Sequence, residues 1–373
     1  MSVEIREVTT PADIKQFVQL QFDLYKGNKY WVPPMIADER KSLDPQQNPA
    51  FAFCDAKFWL AYRNGKCAGR IGAIINRLYN EKTGEKMGRI NRMEFVDDAE
   101  VVDALMDTAV AWLKEKGMEK VHGPLGFTNL DTQGLLIEGF DYLQSVASVY
   151  HHPYYKEHFE RMGFEKERDW VEFRLTLTDR PVNKAKRGAD LIVKRYGFEV
   201  IRFSNREELK PYAREVFKIL NDAFQDLPYV TKFDDRMIEY YSKKYFNILN
   251  PKYVRVVKDG EKLIGFVVGM PSLSKAMQKA GGRLLPFGWW HIMKALKHPE
   301  VIDTLLTGVL HEYHAKGVAV ILYAELQNEM LANGVNTIET TGIFEDNHNV
   351  ISNWKNYENI QHKRRRCFVK AIG

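Results

Sequence analysis

The stretch Val309-Leu310-His311-Glu312-Tyr313-His314-Ala315-Lys316-Gly317-Val318-Ala319 joins a predicted strand, Thr304 to Leu310, to a predicted helix, Val318 to Ala332, through a loop with one glycine. A helix start presents backbone N–H groups with no partner inside the helix, and the helix dipole adds partial positive charge there. Gly317 lets the backbone approach a ligand without an intervening side chain. Val318 and Ala319 leave the first turn open, His314 and Lys316 add positive charge, and the helix carries no carboxylate before Glu325. The residues therefore describe an anion site. The plainer alternative is an ordinary strand-to-helix turn.

Outward from this loop, the chain divides into two halves with the same order of elements. The first has a strand at 3–8, a helix at 11–25, a strand at 58–62, a hairpin turn at Asn64-Gly65 and a strand at 68–78. Asn-Gly between apolar runs is a strong hairpin signal. A strand at 88–96, a helix at 99–116, a strand at 121–127, a helix at 154–162 and a strand at 171–177 complete it. The second half repeats the series: strand 199–203, helix 206–224, a hairpin through Asp259-Gly260, strand 304–310, helix 318–332, strand 335–344, helix 350–357 and strand 362–370. The polar segment Asp179 to Gly188 between the halves predicts a linker or long loop. At the place matching the glycine loop, the first half has Asp97, Asp98 and Glu100 and no glycine. Carboxylates there already complement the helix N-terminus and would repel a pyrophosphate. One copy is phosphate-competent and the other is not.

This arrangement resembles the GNAT (GCN5-related N-acetyltransferase) superfamily. Its pyrophosphate loop has the pattern Arg/Gln-x-x-Gly-x-Gly/Ala, and Val309, Tyr313, Lys316, Gly317 and Ala319 match its usual surroundings, with His314 in place of Arg or Gln and His311 in place of a frequent Pro. In the first half, Tyr154 to Phe164 is similar to the Tyr-x-x-x-Gly-Phe ending of the same fold. Trp31-Val32-Pro33-Pro34, Gly134 to Asp141, His152-Pro153-Tyr154-Tyr155, Arg283 to Gly288 and Glu345-Asp346-Asn347 look like segments of bacterial tandem-GNAT proteins of uncharacterised activity.

The resemblance implies an α/β (α+β) fold with two GNAT-like domains in tandem, each a mixed, mostly antiparallel sheet flanked by helices. It implies a degenerate domain over 1–180 and a coenzyme-binding domain over 196–373. It further implies an acyl-CoA-dependent N-acyltransferase that moves an acetyl or longer acyl group from acetyl-CoA or another acyl-CoA to an amine on a small molecule or peptide. Val309, Leu310, His314, Ala315, Lys316, Gly317, Val318 and Ala319 would hold the coenzyme. Asn347 stands where many relatives place a coenzyme-contacting Asn. Such chemistry needs a proton sink for the attacking amine and a donor for the leaving thiolate. The resemblance places the donor on the helix after the fifth strand, where Tyr357 is the hydroxyl of the right type. Glu312, just before the loop, is the first choice of base, with His311, Glu339 and Asp346 as alternatives. Two other readings stay open: a non-catalytic module that binds CoA or another ligand, and an aminoacyl-tRNA-dependent transferase.

Composition sets the outer limits. The 373 residues exceed what one core usually supports, and 45% hydrophobic with 28% charged residues is the make-up of a soluble globular protein. No apolar run spans a bilayer and the start lacks the pattern of a signal peptide, so the expected location is cytoplasmic. Cys54, Cys67 and Cys367 form no disulfide framework or metal pattern, and no metal is expected. The net charge of +5 suits an anionic ligand without requiring one. The basic run His362 to Arg366 lies in a predicted strand that would face only half of it one way, so no nucleic-acid site is expected. Two polar clusters, Asn129 to Gly134 and His151 to Tyr155, suit a substrate cleft. The apolar run Leu284 to Met293 could line a pocket, pack between the halves, or make peripheral lipid contact.

Overall fold

The computed structural model describes residues 2–373. The first half contains β1 (Glu4–Glu7), α1 (Pro11–Leu24), α2 (Ile36–Leu43), β2 (Cys54–Arg63), β3 (Lys66–Asn76), α3 (Arg77–Thr83), β4 (Met87–Phe95), α4 (Ala99–Glu115), β5 (Lys120–Gly123), β6 (Leu135–Glu138), α5 (Tyr154–Arg161) and β7 (Glu165–Thr176). The second contains α6 (Asp179–Tyr196), β8 (Glu199–Arg202), α7 (Ala213–Ala223), α8 (Asp235–Phe246), β9 (Val254–Asp259), β10 (Lys262–Pro271), α9 (Ser274–Ala280), α10 (Gly288–Lys297), β11 (Ile302–Val309), α11 (Val318–Ala332), β12 (Thr337–Thr340), β13 (Ile343–Phe344), α12 (His348–Ser352) and β14 (Glu358–Ala371).

Two compact units result, and they do not follow a single cut in the chain. The first comprises the residues up to Val171 with Ser274–Trp289 and His362–Gly373; the second comprises Glu172–Leu273 and Trp290–Gln361. In the first, β1 to β4 form an antiparallel meander, β5 runs parallel to β4, and the end of β14 closes on β5 antiparallel, with Phe368 opposite Gly123. In the second, β8 to β11 repeat the meander, β12 runs parallel to β11, and the end of β7 closes on β12 antiparallel, with Thr337 opposite Thr176. A parallel pair needs a crossover, and α4 and α11 supply it in the two copies. The first core gathers Trp59, Ile71, Phe95, Leu105, Trp112 and Phe159 around α4. Glycines allow the crossover helices to press on the sheet. A Cβ on Gly69 would stand 2.6 Å from Leu105 and 3.1 Å from Val101 of α4, and one on Gly265 would stand 2.8 Å from Val318 of α11.

Several expectations change here. Asp179 to Gly188 is not a linker but the first part of α6. Pro181 fits in the opening turn, where no backbone donor is required, and a narrow stripe of Val182, Ala189 and Ile192 is enough to dock the helix. The expected helix over 206–224 is divided at Pro211 into a 3-10 segment, Glu207–Tyr212, and α7. The strand expected over 335–344 breaks after Thr340 into β12 and β13. The helix expected over 350–357 is α12 followed by a 3-10 turn, Asn353–Asn356, so Tyr357 lies outside it in extended backbone.

Candidate functional site

In the second unit β11 and β12 pair over three positions only, Ile302 to Thr304 against Ile338 to Thr340. A bulge between Val268 and Gly269 of β10 shifts the register beside this point. Beyond it the strands separate, and the Thr341 hydroxyl closes the end of the ladder by donating to the Thr304 carbonyl at 3.1 Å. The C-terminal part of β11, residues 305–309, then runs alone on its β12 side to the loop. Residues His311–Lys316 make a 3-10 turn, Gly317 takes the left-handed conformation with φ 75°, and α11 begins at Val318 with no side-chain cap. That φ is one that L side chains rarely adopt, and a Cβ on Gly317 would stand 2.7 Å from Ile192 of α6, so both conformation and space demand glycine.

The loop is anchored on one side and open on the other. Val309, Tyr313 and Val318 are buried, and the Leu310 N–H donates to the Ile264 carbonyl at 3.0 Å. The Tyr313 hydroxyl donates to Asp259 at 2.9 Å, which together with burial raises its pKa above the usual phenol value. The Lys316 ammonium lies 4.2 Å from the centre of the Tyr313 ring. His314 Nε2 stands 2.9 Å from the Val309 carbonyl, and its ring centre is 5.0 Å from that of His311. Ala319 and Val320, in the first turn of α11, are exposed. The helix start has no side-chain cap, and its exposed first turn lies beside imidazole and ammonium groups, a setting that stabilises an anion. Carboxylates also lie nearby: Asp222 of α7 accepts from the His311 N–H at 3.2 Å. Beside the loop, a recess of about 370 Å³ is lined by Ile219, Leu263 and Leu310 and by Lys218, Lys258 and Lys262, which pair with Glu215, Glu261 and Glu312.

The remaining sequence-chosen residues sit as follows. Glu312 is exposed and forms an ion pair with Lys262. The Tyr357 hydroxyl donates to Gln327 of α11 at 2.8 Å, and burial raises its pKa. Asn347 caps α12, its side chain accepting from the Val350 N–H at 3.3 Å. Glu339 is buried in β12 and paired with Arg174 of β7. The structure thus brings together the contiguous residues 309–319, whereas Asn347 and Tyr357 are held by partners of their own. Sequence reading missed Asp222 and Ile192, both supplied by distant helices with no local signal.

The matching place in the first unit is closed. Asp98 caps α4, accepting from the N–H groups of Glu100 at 3.1 Å and Val101 at 3.4 Å. Arg63 binds Asp98 at 3.0 Å and Glu100 at 2.6 Å, and Asp97 meets His158 at 2.8 Å. β4 and β5 also separate after three pairs, near a kink where Arg92 has φ 44°. Here, however, tyrosines fill the space. Glu94 is buried and accepts from the Tyr25 and Tyr155 hydroxyls at 2.8 and 2.7 Å; burial raises its pKa against the opposing pull of Arg70. The Tyr155 oxygen also accepts from the Phe95 N–H at 3.0 Å, and the Tyr154 hydroxyl donates to the Phe95 carbonyl at 2.7 Å.

The polar clusters expected to line a cleft are consumed in the same way. Asp131 accepts from the Thr128 N–H at 3.0 Å, and buried His151 accepts from the Leu136 N–H through Nδ1 at 3.1 Å. Burial pushes the His151 imidazole down to about 3. A further trio, His122, Glu167 and Cys367, meets in this unit, with Glu167 3.2 Å from both others. The buried guanidinium of Arg89 acts on His122 electrostatically and opposes a cation there.

These geometries can be set beside known proteins. A tandem GNAT protein from the clavulanic acid biosynthesis pathway, solved without AcCoA, superposes with TM-score 0.58 at 13% identity, covering 100% of this chain and 99% of its own. The chain has the tandem GNAT fold. Two curated proteins also align along nearly its whole length. Protein YghO of Escherichia coli K12 is 26% identical over 99% of this chain and 95% of its own. A protein named bacterial ceramide synthase, from Caulobacter vibrioides, is 26% identical over 98% of this chain and 96% of its own. No protein-family model matches the chain. Among the described residues, no helix of this tandem GNAT fold is long and apolar enough to cross a membrane.

Proposed function

We propose that this protein is an acyl-CoA-dependent N-acyltransferase whose second unit holds the coenzyme and whose acceptor is a long-chain amine. The observation that carries the reading is the uncapped start of α11, led by Gly317 in the left-handed conformation and reached from the part of β11 beyond its last pair with β12. The amides around Lys316, Gly317, Val318 and Ala319 would take the pyrophosphate, with His314 and Lys316 adding charge, and Val309 and Leu310 shaping the floor. The backbone of 305–309, beyond its last pair with β12, offers hydrogen bonds to an extended chain with amides, which is what the pantetheine arm is. In this reading Asn347 flanks the coenzyme from the far side of the gap.

The amine nitrogen attacks the thioester carbonyl carbon and the carbon–sulfur bond breaks. Tyr357, kept protonated by burial, gives its proton to the leaving thiolate and takes one back from solvent as the products leave. The ammonium proton leaves through Glu312 to solvent, which requires the Lys262 pair to open. A long-chain acceptor is supported by the whole-length similarity to the protein named bacterial ceramide synthase, since a ceramide is an N-acylated long-chain amino alcohol.

The test is calorimetric titration of the natural protein and Ala319→Glu with acetyl-CoA and with a long-chain acyl-CoA, followed by thiol release across a panel of amines. Ala319 is exposed, so the new carboxylate meets the phosphate without disturbing a core. Tight binding of acyl-CoA that the variant loses, together with thiol release on a long-chain amine, is the expected result. If the natural protein binds neither coenzyme, the reading fails. Binding without thiol release would leave a coenzyme-binding module in its place.

A further inference from the structure

Most large apolar side chains of this protein are covered, yet one short stretch leaves many of its own bare. Among the described residues, Leu284, Leu285, Phe287, Trp289, Trp290 and Met293 account for six of the eleven large apolar side chains that are exposed, all within ten consecutive positions. Leu285 is 76% exposed and Phe287 70% exposed, values typical of polar surface residues.

The stretch is ordered by its own contacts. The Trp289 N–H donates to the Leu284 carbonyl at 2.8 Å, and the Trp289 indole N–H donates to the Pro286 carbonyl at 3.1 Å. These bonds close 284–289 into a knuckle at the start of α10. Just upstream, the Gln278 side chain of α9 donates to the carbonyls of Lys29 and Trp31 at 3.0 and 2.9 Å, and the Gly282 carbonyl accepts from the Ile36 N–H at 3.0 Å. Within α10, Trp289, Trp290, Met293 and Lys297 share one exposed arc, and Leu296 at its edge is buried. The arc is apolar at one end and cationic at the other.

Along the stretch itself the charge has one sign. Lys279, Arg283, Lys294 and Lys297 are exposed, and no carboxylate occurs anywhere from Lys262 to Pro299. The Lys294 ammonium lies 5.6 Å from the centre of the Trp290 ring, so charge and aromatic ring share one edge. Next to this edge a groove of about 820 Å³ is lined by Arg206, Trp290, Met293, Lys294, Lys297 and His298. Bare tryptophan and leucine bordered by lysine and arginine match the layers of an anionic bilayer surface, with acyl chains below and phosphate groups above. A soluble acidic protein would satisfy the cations but not the run from Leu284 to Phe287.

We propose that residues 283–297 form an interfacial anchor that docks the protein reversibly on anionic phospholipid bilayers. The knuckle inserts Leu284, Leu285 and Phe287 among the acyl chains, Trp289 and Trp290 lie at the headgroup level, and the lysines and Arg283 contact phosphates. Docking of this kind requires no coenzyme and is independent of the acyltransferase reading.

The test mixes the full chain, without coenzyme, with vesicles of phosphatidylcholine alone or of phosphatidylcholine with phosphatidylglycerol, and measures co-flotation at low and high salt. The natural protein should float with the anionic vesicles and bind them less at high salt, because the charge contribution is screened. The double variant Leu285→Ser/Phe287→Ser should lower the partition coefficient by about tenfold or more. Lys294→Glu/Lys297→Glu should remove the preference for anionic vesicles. All substituted side chains are exposed, and unchanged thermal melting verifies the fold. If the natural protein stays in solution with both kinds of vesicle, or if both variants float as it does, the proposal is overturned. Sedimentation velocity gives an independent outcome against it: a dimer that the serine variant dissociates, with no vesicle binding, would assign the patch to a second copy of the chain.

Discussion

Helices α4 and α11 occupy the same place in two copies of one fold, and they differ most where they begin. Each crosses between a pair of parallel strands, and each is pressed on the sheet through a glycine, Gly69 or Gly265. At the start of α4 the Asp98 carboxylate accepts from the helix amides, with Arg63 binding Asp98 and Glu100 behind it. At the start of α11 there is only Gly317, and exposed Ala319 and Val320 follow it. The two starts use the same electrostatics. One copy supplies its own anion and gains stability, whereas the other leaves the position to a ligand. In the first unit the gap between the parallel strands is also filled, by Tyr154 and Tyr155 bonded to the Phe95 backbone.

The largest effect expected from this contrast is on pH stability, because the closed unit hides titratable groups. Buried His151 has a pKa near 3 against an ordinary 6.5. It is neutral in the fold and protonates more readily when the chain unfolds. The stability it contributes is therefore complete above about 6.5 and is lost as pH falls toward 3. For one such group the loss is at most on the order of 5 kcal/mol. Burial is the main cause, and Arg365, His152 and Arg70 add in the same direction. His122 and His152 are also shifted down by burial and add to the same acid limb. Urea denaturation at a series of pH values measures it. His151→Asn keeps an acceptor for the Leu136 N–H and should flatten part of the limb; an unchanged pH profile would show that His151 protonates without unfolding.

Making α11 resemble α4 comes next. Ala319→Glu should weaken acyl-CoA binding by about tenfold to a hundredfold, since a carboxylate beside a phosphate costs a few kcal/mol at partly exposed sites. Gly317→Glu should do the same and also lower stability, because of its φ and of Ile192. Equal affinity in natural protein and Ala319→Glu would place the coenzyme elsewhere. Tyr357→Phe should then lower kcat by about tenfold with coenzyme affinity unchanged, as expected of a proton donor that acts after binding. A parallel loss of affinity would make Tyr357 a binding residue.

Much of the contrast was legible in sequence, for reasons that are local. A helix start is written in consecutive residues, so Asp97, Asp98 and Glu100 on one side and Lys316 to Ala319 on the other could be compared directly. The hairpins at Asn64-Gly65 and Asp259-Gly260 were legible for the same reason. What covers a loop is not local. Ile192 lies on α6, whose polar first half resembles a linker because only Val182 and Ala189 are deeply buried. The Glu94 cluster joins residues 69 and 61 positions apart in sequence, which strand alternation cannot reveal. Tyr357 was assigned to a helix because the apolar spacing continues from Val350, but the α-helix ends at Ser352 and a 3-10 turn carries the chain into β14. The exchanged end strands were illegible too, since β7 and β14 have similar lengths and alternation, and neither pattern specifies its neighbour.

The smallest effect sharpens the comparison from the other side. Asp98→Ala removes the cap of α4 and should cost about 1 kcal/mol of stability. It should not create a coenzyme site, because Asp97 and Glu100 remain at the helix start and Tyr154 and Tyr155 still fill the gap beyond it. The variant should therefore shift the denaturation midpoint slightly and leave the stoichiometry of acyl-CoA binding as it was. A second binding event in calorimetry would show that the Asp98 carboxylate alone keeps the first copy closed. Unchanged stoichiometry with reduced stability would show that closure is shared between the carboxylates at the helix start and the tyrosines in the gap, so that reopening the first copy would require changes in both.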